Sequence, residues 1–270
     1  FTELKDICEV LVRFLNLLID HQNYDFPQLE KCALNYRPLG IGVSDLFHLL
    51  ALKHLDYSTR AARNYVHRLM EAFQYYLLRA SCLLAKEQGR CNAFAQSKYS
   101  ESTYLPTLCY KKAVDNIVDE PLHLDWALLR IEINKYGLRN TCLSAIPPTA
   151  SSSSISNSTP GIDPPKQLIT TKMSKHGVFK QAVPEIASLA DYYKTQSSII
   201  NKKYLKLIAV IQKFVDQGVS TNTYYLVEKK DVSLQDVASE IFNAYSYGLK
   251  SLYYLNANKG VDSDIARVMS

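Results

Sequence analysis

Two stretches of this sequence carry residue types and spacing that could do chemistry. Residues 147–159 read Pro-Pro-Thr-Ala-Ser-Ser-Ser-Ser-Ile-Ser-Asn-Ser-Thr. A serine run standing alone is usually a flexible linker. This one has structured flanks: an apolar strand candidate at 138–146 leads in, and Pro164-Pro165 with a hairpin pattern leads out. An extended segment that ends in a Pro-fixed turn and then opens a short helix of small hydroxyl residues suits phosphate. Small side chains let backbone N–H groups approach the oxygens, and a helix N-terminus adds favourable partial charge. The Gly-rich Walker pattern is absent, which excludes a P-loop. The second stretch is Tyr253-Tyr254, within Gly248-Leu-Lys-Ser-Leu-Tyr-Tyr-Leu-Asn256. Pairs also begin at Tyr75, Tyr192 and Tyr224. Adjacency alone therefore fits half-buried rings that fill space and hydrogen-bond through their hydroxyls.

Helices dominate the frame that must hold these stretches through about residue 140. Residues 2–20 place Leu4, Ile7, Val10, Leu11, Phe14, Leu15 and Leu18 at three-four spacing, which predicts a helix with one buried stripe. A turn-rich segment at 23–27 follows. Arg37-Pro-Leu-Gly-Ile-Gly-Val43 predicts a strand or tight entry turn whose glycines let the backbone approach a neighbour closely. Ser44 is the expected N-cap of a helix to Leu55, and Ser58 of a long helix to about Gln88 that stops at Gly89. Another helix is expected from Pro121 to Tyr136. Residues 141–260 alternate. A hairpin is expected over 168–183 around Lys175-His176-Gly177, and a helix over 201–216 capped by Asn201 and stopped by Gly218. A strand over 221–227, a helix opened by a Ser233/Asp236 capping box, and a strand over 249–255 complete the pattern. Strand, helix, strand at these lengths predicts right-handed crossovers in a mixed α/β sheet. Residues 1–270 are read as one domain with a tail at 261–270.

The composition excludes several classes. The chain has 270 residues, 47% apolar and 21% charged, with a formal net charge of +5, which is too apolar for disorder. Its 31 basic and 26 acidic residues are scattered, whereas a nucleic-acid groove needs a concentrated basic stripe with interleaved aromatics. No stretch approaches the ~18 apolar residues of a spanning helix, and no signal pattern opens the chain. The expectation is a cytoplasmic protein with neither a membrane nor a nucleic-acid polymer as partner. Its six cysteines (Cys8, Cys32, Cys82, Cys91, Cys109 and Cys142) form no C-x-x-C pair, and H-E-x-x-H is absent. They read as reduced, mostly buried thiols, with no metal site.

Taken jointly, a series of short motifs resembles the C-terminal half of the large, catalytic subunit of class I ribonucleotide reductase, the aerobic bacterial and phage type. The motifs are Arg37-Pro-Leu-Gly-Ile-Gly-Val43, Gln74-Tyr-Tyr-Leu-Leu78, Ala85-Lys-Glu-Gln-Gly89, Glu120-Pro-Leu-His123 and Gly137-Leu-Arg-Asn140, then Pro148-Thr-Ala-Ser-Ser152, Ile155-Ser-Asn157, Gly161-Ile-Asp-Pro-Pro165 and Leu252-Tyr-Tyr254. The resemblance implies an α/β fold: the second half of a ten-stranded α/β barrel, with many surrounding helices. It implies that Pro148, Thr149, Ala150, Ser151 and Ser152 cradle the 5′-diphosphate of a ribonucleoside diphosphate. It also implies that Tyr253 and Tyr254 are a stacked pair relaying a radical, with Tyr254 nearer the small subunit. A phenol suits that task because it can lose an electron and a proton together.

The same resemblance implies what must come from elsewhere. The family's Asn-x-Cys-x-Glu loop has no counterpart in this sequence, and none of the six cysteines stands at a reducing position. The implied partners are an N-terminal half of the large subunit, a radical-generating small subunit carrying a tyrosyl/metal cofactor, and thioredoxin or glutaredoxin as the source of thiols. No cofactor is expected on this chain, and the chain alone is expected to be inactive, as a split gene product or a fragment. A half-barrel has open edges, which implies an interface with the missing half larger than the roughly 1,600 Å² of a standard contact. The competing expectations are a non-catalytic binding or assembly remnant and a fragment of a cobalamin-type radical reductase. The tyrosine pair argues against the latter, since a cofactor-generated radical needs no long relay.

Overall fold

The computed structural model describes residues 2–174, 177–226 and 232–258. Helix α1 (Thr2–His21) packs on α4 (Arg60–Gln88), the longest described helix, which also carries α5 (Trp126–Tyr136) and α8 (Asn201–Phe214). α4 is buried round much of its circumference, and Leu77, Leu78 and Leu84 sit in the core that the four helices share. The buried stripe of α1 differs from the expected one. Cys8 and Val12 lie inside, flanked by Leu4, Leu11 and Leu15, whereas Ile7, Val10, Phe14 and Leu18 face outward. The apolar arc of α1 is wider than one buried stripe, so spacing alone does not choose its inner face.

Helix α2 (Pro27–Tyr36) was not anticipated beyond its opening turn. It fully buries no residue and so carries no periodic signal. Several helix starts also move. α3 (Leu46–Leu52) is capped by Asp45 rather than Ser44, whose hydroxyl instead meets the Thr159 carbonyl at 3.2 Å. Thr59, not Ser58, caps α4 by accepting from Ala62 N–H. α5 starts at Trp126 behind an Asp125 cap, because the Glu71 carboxylate accepts from the His123 and Leu124 amides and keeps residues 121–124 out of the helix. Asn201 is the first residue of α8 rather than its cap, its side chain being committed to Tyr224 N–H and Glu240.

The second half contains the short helix α6 (Ala150–Ile155), the antiparallel hairpin β1 (Ile169–Ser174) and β2 (Gly177–Ala182), the single-turn α7 (Ile186–Leu189), β3 (Thr223–Leu226), α9 (Leu234–Ser246) and β4 (Leu255–Asn258). The Ser233/Asp236 capping box forms as expected. β4 begins at Leu255, later than the expected 249, because the chain turns out of α9 at 247–248 and Lys250 and Ser251 then bond to Gln212 and Val219. The hairpin tip at 175–176, the end of the expected strand at Val227 and the tail at 261–270 lie outside the described residues.

The sheet-forming segments build a parallel array in chain order. Ile41 bridges Ser144, Ile146 bridges Val219, and β3 pairs with β4 from Thr223↔Leu255 to Leu226↔Asn258, all parallel. Helical connections run between successive members: α3 to α5, then α6 to α8, then α9. Sequential parallel neighbours joined through helices are the mixed α/β, half-barrel arrangement the motifs implied. The entry of the array explains a glycine. A Cβ on Gly42 would lie 2.5 Å from the Ala145 carbonyl oxygen, so the two segments can run this close only without a side chain there. Gly42→Ala is expected to destabilise the fold by about 1–3 kcal/mol, read as a lower urea midpoint, because the backbone must separate. An unchanged midpoint would show that the approach tolerates a methyl group.

Candidate functional site

The hydroxyl-rich loop grows out of the second member of the parallel array. Cys142 and Leu143 carbonyls accept from Leu39 and Ile41 amides at 3.0 and 2.8 Å, and Ser220 N–H bonds to Ile146 O at 3.0 Å. Pro147 and Pro148 end that pairing by removing donors. Thr149 then caps α6 without a side-chain cap bond. The first-turn amides of Ala150, Ser151 and Ser152 have no acceptor within the helix. The Thr149 hydroxyl is buried with no hydrogen-bond partner among the described residues. Ser151 and Ser152 are exposed. The loop thus offers unpaired N–H groups and one unpaired O–H at a helix N-terminus, a donor set suited to an anion. A crevice of about 600 Å³ runs from Ser153, Ser158 and Thr159 to Lys166, Gln181 and Gln196 on and around the hairpin.

The tyrosine pair sits where β4 enters the array. Tyr253 N–H bonds to Thr221 O at 2.7 Å and Thr223 N–H to Tyr254 O at 2.9 Å. Their ring centroids are 4.1 Å apart and the planes cross at 56°, so the rings meet tilted rather than stacked face to face. Tyr253 is 51% and Tyr254 57% exposed, so space-filling burial does not explain them. The hydrogen bond to Tyr254 raises the Tyr253 phenol above its usual pKa. A groove of about 530 Å³ beside them is lined by Tyr225, Glu240 and Leu205. The other three pairs differ: Tyr75 packs edge-on to Trp126 in the core, Tyr192 stacks on His54, and Tyr224 is buried against Tyr204.

The register brings the two stretches together. Ile146 lies beside Val219, and two residues further along that segment Thr221 takes the Tyr253 amide. The loop thus leaves its segment just beyond Ile146, near the level at which Tyr253 joins the array through Thr221.

Two carboxylates that sequence reasoning left without a role hold this arrangement. Asp216 accepts from Gln74 Nε2 at 2.9 Å, from the Tyr99 hydroxyl, and from the Leu143 and Ser144 amides at 2.7 and 3.3 Å. Burial pushes its carboxyl above the ordinary carboxylate range against those four donors. Asp163 accepts from Tyr204 and Tyr224 hydroxyls at 2.9 and 2.8 Å and from Asn222 Nδ2 at 2.8 Å. A signal for Asp163 did exist in the sequence, an acidic residue set between Gly161-Ile162 and Pro164-Pro165 in an otherwise apolar turn.

The cysteines stay apart from this site chemistry. Cys8, Cys82 and Cys91 are buried, and Cys32 and Cys109 are exposed. Burial drives the Cys8 and Cys82 thiols up to about 12 and the half-buried Cys142 thiol up to about 11. Burial raises the Cys91 thiol as well, so these four are poor thiolates at neutral pH. Among the described residues, no helix is long and apolar enough to cross a membrane.

The chain is similar to known proteins over most of its length. The chain is 46% identical over 255 residues to the ribonucleoside-diphosphate reductase subunit alpha of Buchnera aphidicola subsp. Baizongia pistaciae, covering 93% of this chain and 33% of that protein. It is 42% identical over 248 residues to ribonucleoside-diphosphate reductase 1 subunit alpha of Escherichia coli, covering 90% and 32%. It is 36% identical over 268 residues to the subunit alpha of Enterobacteria phage T4, covering 97% and 35%. The chain thus spans about a third of the length of the curated relatives it matches. The family described as ribonucleotide reductase, barrel domain, matches residues 1–190 and 187–255. With parallel segments in chain order carrying a hydroxyl-rich turn and a tyrosine pair near one level, the chain belongs to the ribonucleotide reductase barrel-domain family.

Proposed function

We propose that this chain is the C-terminal barrel portion of a class I ribonucleoside-diphosphate reductase large subunit, acting as one unit in the conversion of ribonucleoside diphosphates to deoxyribonucleoside diphosphates. The observation that carries the reading is the placement of the loop at 148–152 and the pair Tyr253-Tyr254 near one level of the same parallel array. Pro148 ends the strand pairing, Thr149 offers its free hydroxyl, and the amides of Ala150, Ser151 and Ser152 receive the diphosphate oxygens. Tyr254 loses one electron and one proton toward an oxidant on a small subunit. The resulting phenoxyl takes a hydrogen atom from Tyr253, and the Tyr253 phenoxyl takes one from a thiol S–H supplied by the other half of the barrel. The thiyl radical so formed abstracts the ribose hydrogen. Two further thiols of that half then deliver two electrons and two protons as the 2′-hydroxyl leaves as water, becoming a disulfide that thioredoxin or glutaredoxin reduces, and the first thiol returns the abstracted hydrogen to the ribose, which regenerates the thiyl radical.

Features at the margins support the interface with that other half. Residues 39–41 have a parallel partner on one side and β4 on one side among the described residues, leaving open edges. The outward row Ile7, Val10, Phe14 and Leu17 on α1 is apolar and uncovered.

The loop assignment is tested by Ser151→Pro. Proline is tolerated in the first helical turn, so the fold should survive while one amide donor is lost. Affinity for ADP, measured by calorimetry on the assembled subunit, is expected to fall about tenfold, the value of one charge-assisted hydrogen bond. Unchanged affinity would remove the loop from the site.

A further inference from the structure

A side-chain bridge runs from the segment that follows the loop to the tyrosine pair. Thr149 opens the loop and its hydroxyl lies against Gly161, where an added Cβ would come within 3.1 Å of it. Two residues on, Asp163 accepts from Asn222 Nδ2 at 2.8 Å, and the other end of the same amide, Oδ1, accepts from the Tyr254 backbone N–H at 3.2 Å. Asn222 is 8% exposed, so both ends of its amide are committed in an enclosed place. Tyr204 from α8 and Tyr224 from β3 donate to the other Asp163 oxygen, which fixes the carboxylate from two further elements. Strand β3 does not need this bridge for its own pairing, because Thr223 N–H already bonds to Tyr254 O. The bridge instead spans from the exit of the loop to the entry of β4.

We infer that Asp163 and Asn222 are positioning residues that hold Tyr254 in register with the diphosphate loop, so that occupation of the loop by a nucleoside diphosphate is felt at the tyrosine pair. This rests on the reading of the loop and the pair given under Proposed function. A ligand drawing on Thr149 and the first-turn amides of α6 presses on the segment through Gly161 to Asp163. The carboxylate passes that displacement through one rigid amide to the backbone of Tyr254. Neither residue touches the substrate or a reacting atom, so the effect belongs to orientation rather than to affinity.

The test uses the chain assembled with the polypeptide that completes its barrel, with 3-fluorotyrosine at position 254 read by fluorine NMR, and ADP and inorganic pyrophosphate as probes. In the unaltered protein, saturating either probe is expected to shift the fluorine resonance. In Asn222→Ala, ADP is expected to bind with affinity within about twofold while the shift is lost, and kcat to fall ~10- to 100-fold at unchanged KM, the scale of a misplaced reacting group. Asp163→Asn has one acceptor oxygen in place of two and is expected to give the same loss from the other end of the bridge, so either folded variant decides the matter. Circular dichroism melting identifies which variants are folded. A full-size shift in a folded variant overturns the inference, as does loss of ADP binding that parallels loss of the shift. The reading of the site fails separately: absence of ADP binding in the unaltered protein, or normal turnover by Tyr254→Phe, would sink it whatever Asn222→Ala does.

Discussion

Tyr254→Phe and Tyr253→Phe are each expected to take turnover of the assembled reductase to background while ADP binds with unchanged affinity. The substitution removes one oxygen from a ring that is half exposed, so little packing is lost. What disappears is the O–H that loses an electron and a proton together, and phenylalanine offers no comparable route. The pair is not space-filling: both rings are more than half exposed and their centroids lie 4.1 Å apart. A buried control is available in Tyr75, which packs on Trp126 away from the pair, and Tyr75→Phe should leave turnover largely intact. Steady-state turnover with calorimetric ADP binding separates the possibilities. Normal turnover in either pair variant would end the relay assignment, and a parallel loss of ADP affinity would recast the tyrosines as binding residues.

Asp216→Ala is expected to be the most damaging single change to the fold. The carboxylate gathers donors from α4, from the Tyr99 segment and from the backbone of residues 143–144 that leads into the loop. Alanine orphans the Tyr99 O–H and the two backbone N–H groups at once, and leaves Gln74 Nε2 with only the Tyr99 oxygen at 3.2 Å as acceptor. Donors left unsatisfied in a buried place cost about 1–3 kcal/mol each before relaxation, and water entering the gap recovers part of that. A net loss of about 3 kcal/mol is expected, a large share of the ~5–15 kcal/mol that holds a typical domain together. Urea unfolding at neutral pH reads it directly. A loss under 1 kcal/mol would mean that the site rehydrates freely and that Asp216 does not hold the loop-bearing segment.

Much of the architecture follows from local patterning. The long helix through Gln88 with its Gly89 stop, the capping box at Ser233 and Asp236, the hairpin pattern and the strand-helix-strand alternation are all encoded within windows of a few turns. Short-range capping and periodicity are physical properties of adjacent residues, and they survive transfer from sequence to fold. Helix starts were less legible. Ser44 and Ser58 each had a neighbour able to take the cap, and Pro121 lost its helix to Glu71, which lies fifty residues away in sequence and captures the His123 and Leu124 amides. The inner face of α1 was illegible for a different reason, since its apolar arc is wider than one buried stripe and only its neighbours select which part of it is covered.

For the site, the residue types and their order along the chain already pointed to an anion-binding turn and a tyrosine pair, because unpaired amides and oxidisable phenols are local chemistry. Their meeting near one level was a tertiary decision, set by three successive parallel pairings whose registers no local window contains. The same holds for Asp163, Asn222 and Asp216. Each is an ordinary polar residue in the sequence and becomes a strut only when folding brings distant donors to its oxygens. The sequence by itself determined which groups could act. The tertiary structure decided which of them lie together, because hydrogen-bond register and burial depend on partners far apart in the chain.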